Sequence, residues 1–197
     1  MGKTFTQIPL DAFKTMQTEA GVILKTFDPE NPSTFDRANI VCATTGNITP
    51  SCVPTYRDNG EDVNNCPPNM KELKELVFWD CTIAFTALGV TPETLRLSLG
   101  AADITGNKIA PRHELKDTDF ADIWWVGDRS DGGMVAVCLK NALSTAGLSL
   151  TTAKNSKGQL AVTMSGHYAI EAADTVPMEF YAAEPAKETE ETEQTEE

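Results

Sequence analysis

The chain has 197 residues, of which 41% are hydrophobic, and this suffices for one ordinary domain with a single core. It carries 29 acidic and 16 basic residues, a net charge of −13, which argues against a protein that grips nucleic acid through its phosphates. No apolar stretch reaches the ~18 residues of a membrane-spanning helix, and the N-terminal sequence lacks the apolar segment of a signal peptide, so we expect a cytosolic protein. The five cysteines are odd in number and widely spaced, which favours reduced thiols.

The first third of the chain gives few strong signals. Residues 11–20 carry a rough apolar stripe and precede Gly21, which predicts a short helix. Weaker strand candidates lie at residues 21–27 and 39–43. Residues 56–69, YRDNGEDVNNCPPN, combine turn formers, acids and two prolines over a length beyond an ordinary connection. This segment is therefore either a functional loop or a mobile one without a partner.

The middle of the chain predicts one strand and one helix clearly. Over residues 77–88 apolar side chains recur at every second position, which predicts a strand with one face in a core. That face carries Val77, Trp79, Cys81, Ile83, Phe85 and Ala87. In the following TPETLRLSLG, Thr91 is a good N-cap, Pro92 suits the first turn and Gly100 suits the end. We expect this helix to lie against a sheet.

Residues 120–140 predict an aromatic hairpin. FADIWWV runs into the turn residues DRSDGG, and MVAVCLK runs back. Trp124 and Trp125 are neighbours on one strand, so their side chains point to opposite faces. One of them fills the core. The other requires a second apolar surface, which is either the helix at residues 91–100 or a contact with another subunit.

The last third predicts further strands and an acidic tail. Strands are expected at residues 148–152, 160–170 and 178–182. Residues 184–197 contain seven Glu and one Lys. We expect this tail to be disordered, because so little apolar surface cannot offset the entropy of ordering. The overall pattern is that of a mainly β (α+β) domain.

Catalytic and metal-binding patterns are weak. Ser165 and His167 lie two residues apart on one strand, but no turn presents the serine and no carboxylate is placed to orient the histidine. A zinc site would have to come from widely spaced residues, namely His113, Cys42, Cys52 and Cys66. The acids in Gly-containing turns do not fit a calcium loop: Asp58, Asp62, Asp128 and Asp131. We therefore expect a protein that is not an enzyme, with no catalytic residue, cofactor or metal site.

Several segments of the sequence resemble the major tail proteins of bacteriophages with long, non-contractile tails (siphovirus type). The likeness rests on GEDVNNCPPNMKEL, GAADITGNKIAPR, DTDFADIWWVGD, KNALSTAGLS and SGHYAIEAADTVPMEFY. The likeness as a whole covers roughly residues 20–181, without a strict signature motif. These proteins are the subunits that stack into the phage tail tube.

The resemblance implies a tail-tube-like β-sandwich with one flanking α-helix and a long stacking loop. Residues 1–183 would form a single domain, with an N-terminal arm at 1–20 and the long loop at 56–75, followed by the tail at 184–197. The subunit would form hexameric rings that stack into a tube, and the tube would be the channel through which DNA passes into the host. A ring interface joins two different patches of each subunit.

The same resemblance suggests partners and contact residues. The partners would be further copies of the chain and other tail components such as the distal tail, tape measure and terminator proteins. Genomic DNA would pass without specific binding, no membrane is implied, and the protein would reside in the virion tail after assembly in the host cytoplasm. Contacts between subunits or stacked rings are expected at Asp58, Glu61, Asp62, Asn64, Trp124 and Trp125. Candidates for lumen charge, which would repel DNA, are Asp117, Asp119 and Asp122.

Two other classes of protein fit the sequence. One is the inner tube subunit of a contractile tail or a tailocin, which shares the sandwich. The other is a monomeric β-sandwich module that binds carbohydrate or protein through an exposed aromatic platform of Trp124, Trp125 or Tyr168. An enzyme would need a convergent polar pocket that the sequence does not indicate.

Overall fold

The computed structural model describes residues 8–9 and 11–184. Over these residues the chain is mainly β, with antiparallel pairing throughout and one α-helix. The strands are β1 (Val22–Leu24), β2 (Thr44–Asp58), β3 (Lys74–Ala87), β4 (Ala102–Thr105), β5 (Lys108–Pro111), β6 (Ala121–Asp128), β7 (Met134–Ser144), β8 (Ser149–Thr151), β9 (Gln159–Ser165) and β10 (Met178–Ala183). The helix α1 (Pro92–Leu99) lies between β3 and β4. Residues 1–7 and most of the predicted acidic tail, 185–197, lie outside the described residues.

The longer strands form two antiparallel layers that share β7. In the first layer the order is β1-β6-β7-β10. In the second it is β2-β3-β9, and the far side of β9 pairs with both β8 and the last two residues of β7. The strand β7 carries a bulge at Asn141, whose φ is 46°, and this bend turns its end from the first layer toward the second. A small hairpin of β4 and β5 stands apart.

One hydrophobic core joins the two layers. The first layer contributes Ile23, Ile123, Val137, Leu139 and Met178, and the second contributes Cys81, Ile83, Phe85, Leu160, Val162 and Met164. The predicted alternation along residues 77–88 is thus confirmed for the half of β3 that begins at Cys81. The arrangement is sandwich-like, and the predicted mainly β class is confirmed.

The helix α1 forms where the sequence predicts it. The Thr91 hydroxyl accepts the N–H of Thr94 at 3.2 Å, and the Thr94 hydroxyl accepts the N–H of Thr91 at 2.9 Å, so the two residues form a capping box. Gly100 ends the helix with a φ of 72°, which favours glycine. Leu95 and Leu97 pack against the core, so the helix lies against the sheet as expected.

The predicted helix at residues 11–20 is wrong. These residues form a turn followed by a single bridge between Gln17 and Arg129. The hydroxyl of Ser130 donates to the carbonyls of Phe13 and Lys14, and its backbone N–H donates to the carbonyl of Met16. The turn between β6 and β7 therefore takes the carbonyls that a helix would need for its own hydrogen bonds.

The predicted strands match unevenly. The hairpin at residues 120–140 is confirmed as β6 and β7. Strands also lie at three other predicted places, where β1 and β8 are shorter than predicted and β10 is one residue longer. The strand predicted at 160–170 ends at Ser165. The strand predicted at 39–43 is only one bridge, between Leu24 and Ile40. Strands β2, β4 and β5 were not predicted.

Candidate interaction surface

The hairpin formed by β2 and β3 extends beyond the rest of its sheet. β9 pairs with β3 only from Thr82 to Ala87, whereas β2 pairs with β3 as far as Asp58 and Lys74. We call residues 53–78, which include the end of each strand and the connecting loop, the hairpin arm. A two-stranded ribbon on its own is marginally stable in water. The arm therefore depends on its own side chains or on a partner.

Large apolar side chains of the arm are open to solvent. Five of them, each between 45% and 54% exposed, are Val53, Tyr56, Leu76, Val77 and Phe78. Val63 and Met70 of the connecting loop are also exposed. A register shift at Val77 leaves this residue without a partner on β2, as in a β-bulge. A cluster of this kind on one projecting element is typical of a surface that binds another protein.

The loop of the arm is ordered by Asp58. Its carboxylate accepts the backbone N–H of Asn69 at 2.8 Å and that of Gly60 at 3.0 Å. These two hydrogen bonds, the one from Asn69 foremost, hold the pKa of Asp58 below its usual value. Gly60 is buried, and a Cβ there would lie 2.9 Å from the Cys66 sulfur and from Leu73. The loop is longer than an ordinary connection but folds around these contacts, with its own short 3₁₀ turn at Lys71–Leu73.

The predicted stacking residues of the loop divide into two groups. Asp58 uses its carboxylate inside the loop, while Glu61, Asp62 and Asn64 are exposed at the tip. Part of the segment predicted as loop, residues 56–58 and 74–75, belongs to the paired strands. The arm thus presents an apolar stem and an acidic tip.

Trp124 and Trp125 point to opposite faces of β6, as predicted. Trp125 packs against the core and donates its indole N–H to the carbonyl of Ala20 at 2.9 Å. Trp124 lies on the outer face and is only 8% exposed, because Phe27 and Tyr181 pack on it with ring centroids 5.7 Å away. Phe27, Ile40 and Tyr181 cover the outer face around Trp124. The alternative in which α1 covers this face is therefore wrong, because Leu95 and Leu97 of α1 pack against the other cluster.

This burial bears on two predictions from the sequence. The contact between subunits that the sequence predicts for Trp124 and Trp125 stays a prediction. The apolar surface of Trp124 is already covered by side chains of its own chain. The exposed aromatic platform of a binding module is not formed by Trp124. Tyr168 is 37% exposed, although its hydroxyl accepts the backbone N–H of Trp79 at 3.0 Å, so its ring stays a candidate for such a platform.

The three candidate lumen acids have different environments. Asp117 is exposed. Asp122 is partly exposed and lies 3.4 Å from the Lys140 ammonium. The side chain of Asp119 is 0% exposed and lies 2.6 Å from the Arg112 guanidinium, so its charge is paired within the fold, and its role as lumen charge stays a prediction. Asp119 is held by tertiary ion pairs that the sequence pattern does not reveal.

Asp119 joins the loop before β6 to the rest of the fold. Burial opposes its ionisation, but a hydrogen bond from the N–H of Lys116 and the contact with Arg112 outweigh this effect and hold its pKa below the usual value. Arg96 of α1 lies 3.7 Å from the same carboxylate. A cavity of about 310 Å³ lies beside this cluster, between α1 and the layers. Its charged lining residues are Lys25, Glu93, Arg96, Asp119 and Asp122, of which Arg96 and Asp119 are paired with each other.

The weak catalytic and metal patterns do not converge. The Ser165 hydroxyl is hydrogen-bonded to Thr145 at 2.8 Å, and a ring nitrogen of His167 contacts the carbonyl of Asn141 at 3.1 Å. Within residues 8–9 and 11–184, no three His, Cys, Asp or Glu side chains are grouped as metal ligands. Asp131 accepts the N–H of Gly133 and so acts as a turn former.

Two comparisons with known proteins found no match for this chain. No protein-family model matches the chain, and no curated protein sequence matches it either. In the part of the chain that the structure describes, none of the helices is long and apolar enough to cross a membrane.

The hairpin arm is the feature that points most directly to a function. The sequence predicted a long loop here, either functional or mobile, but it did not predict the apolar stem of the arm. The signal for that stem was the apolar run Leu76-Val77-Phe78.

Proposed function

We propose that this chain is a structural subunit that polymerises with copies of itself, as in the tail tube of the phages that its sequence resembles. The observation that carries the proposal is the hairpin arm, which holds five half-exposed apolar side chains on a ribbon of only two strands. Docked against a neighbouring copy, these side chains would leave water, and each would contribute roughly half of the 1.5–3 kcal/mol for full burial, because each is already about half buried.

Open sheet edges support the same proposal. Within the described residues, β10 lies at one end of the first layer and β2 lies at the end of the second, whereas the outer edge of β1 is bridged by Ile40. Exposed strand edges invite pairing with another chain, and closing strands across subunits would remove them. In the proposed hexameric ring, one layer from each subunit would contribute to a continuous barrel around the channel.

Charge agrees with a channel for DNA. The chain has a net charge of −13, so a lumen lined by it would repel the phosphate backbone instead of holding it. Asp117 and Asp122 are the predicted lumen acids that remain exposed at least in part. In the proposal the tube belongs to the virion tail, and the distal tail, tape measure and terminator proteins are its other partners. The inner tube of a contractile tail would use the same contacts and stays the alternative.

The experiment compares variants of the arm with a matched control. The double variant Leu76→Ser/Phe78→Ser removes apolar surface from the stem, and Phe35→Ser removes an aromatic side chain of similar exposure far along the chain, 44% against 47% for Phe78. Sedimentation velocity over a concentration series should show that wild type and Phe35→Ser assemble while the double variant stays monomeric. Circular dichroism should show that all three are folded. Equal assembly of the double variant would overturn the role of the arm.

A further inference from the structure

Two cysteines face each other at the base of the hairpin arm. Cys52 on β2 is the direct cross-strand partner of Cys81 on β3, and their sulfur atoms are 3.2 Å apart. All five cysteines lie in the described part of the chain, and each is a free thiol. Just beyond this pair the sheet narrows to the two strands of the arm, because β9 pairs with β3 only from Thr82 onward.

The backbone around Cys81 defines the kind of pair. The carbonyl of Cys81 accepts the N–H of Gly166, and the N–H of Trp79 donates to the Tyr168 hydroxyl. In an extended strand the N–H and C=O of a residue point to the same side, so at these positions β3 directs its hydrogen bonds away from β2. Cys52 and Cys81 are therefore a non-hydrogen-bonded pair, in which the Cα atoms are only about 4.5 Å apart. This separation lies within the range of about 4.4–6.8 Å that disulfides adopt.

We propose that Cys52 and Cys81 form a cross-strand disulfide, closed by a small disulfide oxidant such as oxidised glutathione, which locks the base of the hairpin arm. The thiolate of Cys52 attacks one glutathione sulfur, forms a mixed disulfide and releases one glutathione thiolate, which takes up a proton. Cys81 then loses its proton to water and attacks the sulfur of Cys52, which releases the second glutathione. Two protein thiols and one oxidised glutathione thus become one protein disulfide and two reduced glutathiones.

Accessibility sets the order of these steps. Cys52 is half-buried and Cys81 is 1% exposed, so the oxidant meets Cys52 first. Burial, together with the hydrogen bond to Cys52, raises the pKa of the Cys81 thiol to about 12. Because only the thiolate attacks, closure should be slow at neutral pH and should accelerate about tenfold for each pH unit while the pH stays below that value. The inference concerns the isolated fold and does not depend on the proposed tube.

The test is oxidation of the folded protein by oxidised glutathione, followed by an alkylating quench and peptide mapping without reductant. We expect the number of free thiols per chain to fall by two from the five of the reduced chain. Peptide mapping should show a linked pair of peptides that contain Cys52 and Cys81. The Cys42→Ser variant should form the same link. The Cys52→Ser variant should form no link, and its Cys81 should carry no bound glutathione.

Two results would overturn the proposal. One is wild-type protein that gains only bound glutathione, or links between other cysteines, while Cys52 and Cys81 stay unlinked. The other is a link that forms as readily in concentrated urea as in buffer, because the link would then owe nothing to the paired strands. A rate of closure that rises more steeply between pH 7 and pH 9 in buffer than in urea would support it, because only the folded state raises the pKa of Cys81.

Discussion

Replacing Asp119 should destabilise the fold although the residue lies in a loop rich in exposed acids. Its carboxylate is 0% exposed and accepts hydrogen bonds from Arg112 and from the N–H of Lys116. Breaking a buried ion pair costs about 3–5 kcal/mol when the remaining charge has no partner. In the Asp119→Asn variant, Arg112 still has an ion pair with Asp103, whose carboxylate lies 2.9 Å away. We therefore expect the substitution to lower the free energy of unfolding by about 2 kcal/mol, which is closer to the cost of one unsatisfied buried polar group.

Urea unfolding followed by tryptophan fluorescence measures this cost. With a slope of about 2 kcal/mol/M, the midpoint of Asp119→Asn should fall by about 1 M, whereas that of the exposed Asp117→Asn should move little. The pKa of Asp119 is lowered in the folded state, so its contribution is fully present above its ordinary value of 3.8 and is lost as the pH falls through the folded-state value. The gap between wild type and Asp119→Asn should therefore be constant near neutral pH and shrink below about pH 4. Equal midpoints for the two variants at pH 7 would refute the reasoning.

Two further predictions concern stability. Cys52 and Cys81 are separated by 29 positions in the sequence, so closing their disulfide should stabilise the chain by up to about 3.5 kcal/mol in the chain-entropy account. Calorimetry should show a rise in Tm of about 10 °C that reductant reverses, and an unchanged or lower Tm would mean that the bond strains the arm. Trp124→Ala should cost about 3 kcal/mol in urea unfolding because the ring is packed between Phe27 and Tyr181. Phe180→Ala, at a residue 61% exposed, is the control and should cost less than about 0.5 kcal/mol; equal costs would contradict the packing described for Trp124.

The sequence predicted those elements whose signals are local. Alternation along β3 identified the buried face from Cys81 onward, and Thr91 and Gly100 marked the ends of α1. Alternation failed at Val77, which is exposed and lies on the part of β3 that extends beyond its pairing with β9. The same pattern therefore marks a core only where another element covers it.

The misses arose from tertiary contacts. Residues 11–20 read as a helix, but Ser130 of a distant turn takes their carbonyls. The strand β2 contains Pro50 and Pro54, which argue against a central strand, and they are tolerated because β2 lies at a sheet edge. Asp119 looked like one more surface acid, and its burial depends on how the fold places Arg112.

Negative-stain electron microscopy of the purified chain over a concentration series tests the central claim most directly, because it observes self-assembly without assuming a ligand. The account predicts six-fold rings and hollow tubes that lengthen as the concentration rises. Uniform particles of monomer size at every concentration would contradict it.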